Sequence, residues 1–231
     1  MRPFIRTDPV TAGPQPGLTR EAASHLATIA TRLRITAHTE LCTRGEPARY
    51  VYNVVDGVAC AQRRSPAGDR QILAFLFPGD LAGLAHRSRY VNTVETLTPT
   101  TVLRIPIEQL VGLISRDMPL AWTLLCKLTH ALREAQHRAL LVANPEPAGR
   151  VAMFLAMMEG VRASNAEPIR VPVPLTDLAE YMSLSRSALL KAFAQLQRDG
   201  VIVRSGHRLF RVADRDRFDR LVRSDAPLMN V

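Results

Sequence analysis

The sequence predicts an α+β protein: an antiparallel β-domain, then a long helix, then a C-terminal helix-turn-helix with a β-hairpin wing. Three patterns predict this order. Residues 35–105 contain short apolar runs separated by turn signals, residues 121–142 carry a seven-residue apolar repeat, and residues 175–212 contain two short amphipathic segments followed by two β-branched runs. Each pattern favours a different kind of element.

The composition narrows the class of protein. The chain has 231 residues and a formal net charge of +9, so it is long enough for one large or two smaller domains and favours an anionic partner, nucleic acid before a membrane surface. Its three cysteines, Cys42, Cys60 and Cys126, are too few and too scattered for a disulfide framework. The longest apolar run, residues 151–158, is far too short to span a membrane. We therefore expect a cytoplasmic protein with no membrane partner.

The N-terminal part begins with a segment that discourages regular structure. Residues 1–17 are rich in proline and glycine, and we expect a flexible arm there. Residues 18–34 have apolar side chains at helical spacing and predict a helix. The later apolar runs alternate with turn signals such as Asp56-Gly57, and they lie at residues 50–55, 58–61, 72–77, 91–97 and 101–105. Short strands at this spacing predict a small antiparallel barrel or jelly roll.

The apolar residues of the following long helix are spaced alternately by four and three. They are Ala121, Leu125, Leu128, Leu132, Ala135, Ala139 and Val142. This spacing is typical of a coiled-coil seam, so we expect a homodimer with Leu125, Leu128, Leu132, Ala135 and Ala139 at its interface. A long helix packed only on its own domain is the alternative. Pro145 and Pro147 then end the helix and mark a domain boundary.

Residues 175–200 predict two helices joined by a tight turn. Thr176 is the expected N-cap of the first helix, and Ser183 with Leu184 forms the turn. Ser185 caps the second helix, whose two faces differ in chemistry. The face expected to be buried carries Leu189, Ala192, Phe193 and Leu196, and the opposite face carries Arg186, Ser187, Leu190, Lys191, Gln195 and Arg198.

A β-hairpin wing is predicted after the second helix. Residues 201–203 and 209–212 are apolar runs, and Ser205-Gly206 is the turn signal between them. Residues 175–223 hold ten Lys and Arg against six Asp and Glu. A short helix with an apolar inner face and a basic outer face has the dimensions of a major-groove reader, although a charged face is often only a solvated one.

The order of these parts resembles the cyclic-AMP receptor protein and FNR (CRP/FNR) superfamily of bacterial transcription regulators. The resemblance is carried by Asp56-Gly57, by the segments PGDLAGL at residues 78–84 and RVAMFL at 150–155, and by LAEYMSLSRSALLKAF at 178–193. It implies a β-roll of the cyclic-nucleotide-binding type, which is a double-stranded β-helix, over residues 18–118. A dimerisation helix over 119–143 and a winged helix-turn-helix over 144–231 then follow.

The resemblance also implies a DNA-contacting surface. It puts Ser185, Arg186, Ser187 and Lys191 where the family's recognition helix meets base edges and phosphates, with Thr176 and Arg208 beside them. Arg186 then contacts a guanine, and a dimer imposes a palindromic operator. The chain departs from the family at Ser183, Ser187, Leu190 and Lys191, which leaves the half-site sequence open. Activation through contact with RNA polymerase is implied by the resemblance alone.

In the sensor half, the resemblance places an effector pocket near Gly79, Asp80, Leu84 and His86. The glutamate and arginine that cyclic-nucleotide-binding members use are absent from this register, so we expect no cyclic nucleotide. An iron–sulfur cluster of the FNR type needs four cysteines, three of them near the N-terminus, and is not expected either. The chain then resembles the FixK subgroup, in which some members act without a ligand and others sense haem gases, redox state or aromatic compounds.

Other sites and other classes of protein find little support in the residues. His25, His38 and His86 do not stand at a metal-ligand spacing, so we expect no metal site, and haem ligation is an alternative for them. The cysteines are expected to be buried small hydrophobes, with a thiol switch as the alternative. No nucleophile elbow, P-loop or paired carboxylate motif predicts a catalytic residue, which disfavours a cupin-like enzyme. A scaffold protein that binds membranes or acidic proteins is the remaining alternative class.

Overall fold

The structure is a computed structural model that describes residues 5–8, 20–65, 68–160 and 167–223. The chain forms two compact units, Met1–Ala135 and Gln136–Val231. Most of the predicted arm and the last eight residues of the predicted DNA-binding domain lie outside the described residues. No helix in the described ranges is long and apolar enough to cross a bilayer.

The N-terminal unit contains a β-roll in which every strand pairing is antiparallel. Its strands are β1 Ile5–Asp8, β2 Thr31–Ile35, β3 Glu40–Cys42, β4 Tyr50–Asp56, β5 Ala59–Arg64, β6 Arg70–Leu76, β7 Leu81–Ala82, β8 Ala85–His86, β9 Arg89–Tyr90, β10 Thr93–Thr96 and β11 Thr100–Pro106. They form a five-stranded sheet in the order β1-β2-β11-β4-β7, a four-stranded sheet in the order β3-β10-β5-β6, and the hairpin β8-β9. The predicted β-domain is confirmed.

The two larger sheets enclose an apolar core. Leu33, Val54 and Val102 from one sheet pack with Ala61 and Val94 from the other. The turn at Asp56-Gly57 is confirmed, because Gly57 has φ +86° and a Cβ there would lie 2.5 Å from the carbonyl oxygen of Pro99. Only glycine avoids both penalties, so the turn signal in the sequence has a steric cause.

Two predictions about the start of the chain hold only in part. The helix expected over 18–34 is α1, Arg20–Ala27, and Leu33 lies instead in strand β2. Leu33 and Ile35 are buried and Arg34 between them is exposed, which is the alternation of a strand. Strand β2 is also paired on both edges. The expected arm is not wholly irregular, since Ile5–Asp8 pair with residues 32–35 of β2.

Helices α2, Ile107–Ile114, and α3, Met118–Ala143, follow the roll. One face of α3 is buried within the N-terminal unit, because Leu120 and Leu124 pack against Leu26, Leu103 and Leu110. Asp117 accepts a hydrogen bond from Leu120 N at 2.9 Å and also contacts His25 of α1. The observed helix agrees closely with the predicted range of 119–143.

The C-terminal unit includes helix α4, Pro147–Gly160, strand β12, Ile169–Arg170, helix α5, Leu175–Tyr181, helix α6, Arg186–Arg198, the strands β13, Ile202–Gly206, and β14, Leu209–Val212, and helix α7, Arg215–Arg223. The three strands form one antiparallel sheet in the order β12-β14-β13. Phe154 and Phe218 are fully buried, and Phe193 of α6 stacks on Phe210 of β14 with ring centroids 4.9 Å apart.

Candidate DNA interface

Helices α5 and α6 form the predicted helix-turn-helix. Ser183 in the turn has φ +54°, the left-handed conformation that glycine adopts most easily. Its N–H donates to Glu180 O, and Leu184 N donates to Ala179 O at 2.9 Å. The turn therefore keeps the backbone geometry of a glycine turn although a serine occupies it.

Arg150 of α4 stabilises this turn through hydrogen bonds. Its guanidinium donates through Nη1 to Met182 O at 2.8 Å and through Nε to Asn144 O at 2.7 Å. The turn and the residue that follows α3 are thus fixed to one side chain. The local sequence does not predict this role, and its only signal is the arginine that begins the RVAMFL segment.

The predicted cap of α6 is confirmed and the predicted cap of α5 is wrong. The hydroxyl of Ser185 accepts a hydrogen bond from Ala188 N at 3.1 Å and lies 3.0 Å from the hydroxyl of Ser187. Helix α5 instead begins after Pro174, which has no side-chain acceptor, so Thr176 lies inside the first turn and is exposed. Proline before the first helical residue fixes the backbone without a capping hydroxyl.

The two faces of α6 divide as the sequence predicted. Leu189, Ala192, Phe193 and Leu196 are buried in the C-terminal unit. On the other side, Arg186, Ser187, Leu190 and Lys191 are exposed. The first two turns of α6 therefore present a guanidinium, a hydroxyl, an isobutyl group and an ammonium group to solvent.

The wing differs from the prediction at its turn. Strand β13 extends through Gly206, so the turn consists of His207 and Arg208 and not of Ser205 and Gly206. Arg208 has φ +56°, is half-buried, and donates through Nη1 to Val173 O at 3.1 Å. Its guanidinium is therefore partly engaged within the protein. Strand β12, which pairs with β14, was not predicted because a strand of two residues is too short to show an alternating pattern.

The five predicted interface residues of α3 are solvent-exposed in the single chain, whereas Ala121 and Val142 at the two ends of the repeat are half-buried. Leu128 is 44% exposed and Leu132 is 60% exposed, and Leu125, Ala135 and Ala139 are exposed as well. Met118, at 78% exposed, lies seven residues before Leu125 and continues the same heptad phase. Trp122, beside the seam, is also exposed. This spacing could have identified Met118 as a residue of the repeat from the sequence alone.

Two of the four predicted effector residues lie in one groove. Gly79 and Asp80 line a groove of about 380 Å³ together with Pro78, Trp122, Thr123, Cys126, Lys127 and His130. Leu84 and His86 are exposed and do not line it. Lys127 donates to Gly79 O, and His130 Nε2 lies 3.8 Å from Asp80 Oδ1. Burial raises the pKa of Asp80 and lowers that of Lys127.

Tyrosines occupy the interior of the β-roll. Tyr90 is buried in the core between the sheets, where its hydroxyl accepts from Tyr50 N and donates to Tyr50 O, both at 3.1 Å. Tyr52 is also buried there and donates to Leu41 O at 2.9 Å. Both phenol hydroxyls therefore have hydrogen-bond partners in the protein itself.

The cysteines and histidines are dispersed. Cys42 and Cys60 are buried as predicted, and burial raises the pKa of the Cys42 thiol to about 11. Cys126 is exposed, so the expectation that it is buried is wrong: it lies on the part of α3 turned away from the core residues Leu120 and Leu124. Among the described residues, no group of three or more His, Cys, Asp or Glu side chains could hold a metal ion.

Both parts of the chain match known protein families. Residues 32–117 match the cyclic nucleotide-binding domain family, and residues 149–221 match the Crp-like helix-turn-helix domain family. The transcriptional activatory protein AadR of Rhodopseudomonas palustris is 28% identical over 84% of this chain and 82% of its own length. The nitrogen fixation regulation protein FixK of Azorhizobium caulinodans is 27% identical over 86% of this chain and 82% of its own length.

A solved structure agrees in both sequence and fold. FixK2 from Bradyrhizobium japonicum superposes with a TM-score of 0.76 at 30% identity, over 84% of this chain and 97% of that one. Both matched domains, their order and this likeness lead to one assignment. The chain belongs to the FNR/FixK-like part of the CRP/FNR superfamily of bacterial transcription regulators.

Proposed function

We propose that the protein acts as a homodimer that binds a palindromic operator through helix α6 of each protomer and activates transcription by contacting RNA polymerase. One observation carries the proposal. The exposed side of α6 presents Arg186, Ser187 and Lys191 over two consecutive turns while its other side is fixed in the core. A rigid helix with such a face fits the major groove, where arginine pairs with guanine through two hydrogen bonds.

The role of each contact follows from its position. Ser185 and Ser187 lie at the start of α6, where hydroxyls and free backbone N–H groups suit a phosphate. Arg186 contacts a guanine, and Lys191 contacts a guanine or a phosphate. Thr176 of α5 is exposed, and Arg208 of the wing is half-exposed. Both add contacts to the DNA backbone. The unit's excess of arginine supports the electrostatic part of binding.

The homodimer is supported by the leucines of α3. Their exposure in the single chain leaves an apolar strip along a helix that already buries its opposite face. A second copy covers that strip, aligns two α6 helices about 34–36 Å apart on one side of the duplex, and makes the operator two-fold symmetric. The relative AadR, which is named a transcriptional activatory protein, favours activation over repression.

The operator is found by selecting random duplex DNA on the purified protein and sequencing the bound fraction. We expect an enriched palindrome. Arg186→Ala should reduce discrimination at one position of each half-site by about tenfold or more, the cost of one lost bidentate base contact. Arg44→Ala, which removes an exposed arginine of the N-terminal unit, is the control and should leave the selected sequence unchanged. Absence of any enriched sequence would contradict the proposal.

RNA polymerase contact is tested separately by transcription in vitro from a promoter that carries the selected palindrome. We expect added protein to increase the transcript when the palindrome lies upstream of the promoter. A decrease at every upstream spacing would identify a repressor instead.

Regulation without a cyclic nucleotide is part of the proposal. Tyr90 and Tyr52 are buried side chains in the interior of the roll, with hydroxyls that already have partners. A cyclic nucleotide there would displace them, so cyclic AMP or cyclic GMP should not change operator affinity. An iron–sulfur cluster is likewise not proposed. A cyclic-nucleotide-dependent gain in affinity would contradict this part alone.

A ligand-gated regulator is the second candidate, and the groove beside Asp80 favours it. The groove is lined by apolar residues, Pro78 and Trp122, and by polar ones, Lys127 and His130, a combination common in small-molecule sites. An absorbance spectrum of the protein as purified tests for haem. Alkylation of Cys126 tests for a redox signal, since operator affinity should change if this exposed thiol is the switch.

A further inference from the structure

Leu190 is an apolar residue of α6 that the core does not use. It is 45% exposed, whereas the neighbouring Leu189 is fully buried. The buried side of the helix is complete without it, because Leu189, Ala192, Phe193 and Leu196 fill that role. Folding of the C-terminal unit therefore gives no reason for a leucine at this position.

The neighbours of Leu190 place it on the DNA-facing surface proposed above. Residues four apart lie on the same face of a helix, so Leu190 is between Arg186 and Ala194, both of which are exposed. Ser187 and Lys191, also exposed, flank it on the other side. Leu190 thus lies one turn into a helix whose N-terminal residues approach the base edges.

The chemistry of a leucine side chain limits what it can contact there. It has no hydrogen-bond donor or acceptor, and the thymine methyl group is the apolar feature that the four natural bases display in the major groove. Against the other bases, an isobutyl group would cover polar edges without replacing their hydrogen bonds to water. We infer that Leu190 is a specificity-determining residue that contacts the methyl group of a thymine in each half-site; this inference rests on the proposed function.

The geometry also limits where that thymine lies. Four residues of α-helix rise by about 6 Å, and successive base pairs are about 3.4 Å apart. The thymine should therefore be one or two base pairs from the base that depends on Arg186.

The test replaces thymine by uracil, which removes the methyl group and nothing else. In the operator selected by the unmodified protein, each thymine of a half-site is replaced in turn, on either strand, and Kd is measured at one salt concentration. We expect one position, within two base pairs of the Arg186-dependent base, where uracil weakens binding roughly fourfold, as the loss of one buried methyl group implies. Leu190→Ala should bind the thymine and uracil operators equally.

Two controls keep the outcome interpretable. Leu190→Met retains an apolar side chain and should keep the preference for thymine. Val203→Ala removes another exposed apolar side chain of the same unit, on the wing, and should also keep it. The inference is overturned if no thymine of the half-site shows a methyl dependence, or if Leu190→Ala retains it at full size. Failure of the unmodified protein to bind any selected sequence would instead overturn the proposed function.

Discussion

Helices α3 and α6 each bury one face in their own unit, yet their exposed faces differ in chemistry. Leu120 and Leu124 anchor α3, and Leu189 and Leu196 anchor α6. The free side of α3 carries leucines at heptad spacing, whereas that of α6 carries mainly arginine, serine and lysine. Both buried faces are apolar, so the proposed partners rest on the exposed faces: a second copy of α3 for the leucines, and DNA for the basic residues of α6.

The largest effect is expected from placing a charge in the exposed strip of α3. Leu128→Glu or Leu132→Glu would put like charges opposite each other in a dimer, so these variants should be monomers with operator affinity reduced by orders of magnitude. Sedimentation equilibrium measures the oligomeric state. Arg133→Glu, an exposed position one residue outside the strip, is the matched control and should remain dimeric. A dimeric Leu132→Glu protein would show that the strip has another partner.

The next effect compares neighbouring leucines on the two faces of α6. Leu189→Ala should lower the free energy of unfolding by about 2–5 kcal/mol because it leaves a cavity in the core. Leu190→Ala should change it by less than about 0.5 kcal/mol because the side chain is exposed. Urea denaturation of both variants gives the comparison. Equal losses would mean that Leu190 is packed in solution.

A smaller effect separates the two predicted helix caps. Ser185→Ala removes the acceptor for Ala188 N and should cost about 1 kcal/mol. Thr176→Ala removes a hydroxyl with no capping role and should leave stability within about 0.5 kcal/mol. Thermal unfolding of the two variants measures the difference. A larger loss for Thr176→Ala would restore the cap that the sequence suggested.

The smallest effect concerns the carboxyl group of Asp80, which lines the groove together with Lys127 and His130 of α3. The raised pKa of Asp80 means that its carboxyl group binds a proton more tightly in the folded protein than in the unfolded chain. Its contribution to stability is therefore present below the unfolded value near 3.8 and is lost as pH rises through the higher folded pKa. Asp80→Asn should flatten this fall in stability. Urea midpoints measured from pH 4 to pH 7 test it, and an unchanged slope would assign the pH dependence to other groups.

Sequence patterns worked best where one local signal decides the structure. Asp56-Gly57 specified its turn because the site excludes a Cβ, and Ser185 specified the start of α6 because its hydroxyl reaches a free N–H. The two apolar spacings, heptad in α3 and helical in α6, placed their helices and assigned the buried face of α6 correctly.

Sequence patterns failed where contacts with residues distant in the chain determine the structure of a segment. Leu33 fits a helical spacing, but β2 gains pairing partners on both sides, β1 and β11. Gly206 looked like a hairpin turn, but β13 continues to it with a bulge, and Arg208 takes the left-handed turn position while donating to Val173 O. Neither partner could be found from the local sequence.

Local sequence patterns were sufficient to predict the order of the parts, the two amphipathic helices and the family, because spacing, caps and turn residues act over a few positions along the chain. Tertiary packing decided which side of α3 is buried in its own unit: Leu120 and Leu124 lie inside, and Leu128 and Leu132 remain exposed. It also brought Arg150 under the turn at Met182 and Tyr90 into the interior of the roll. Burial depends on contacts between residues far apart in the chain, and no local pattern contains them.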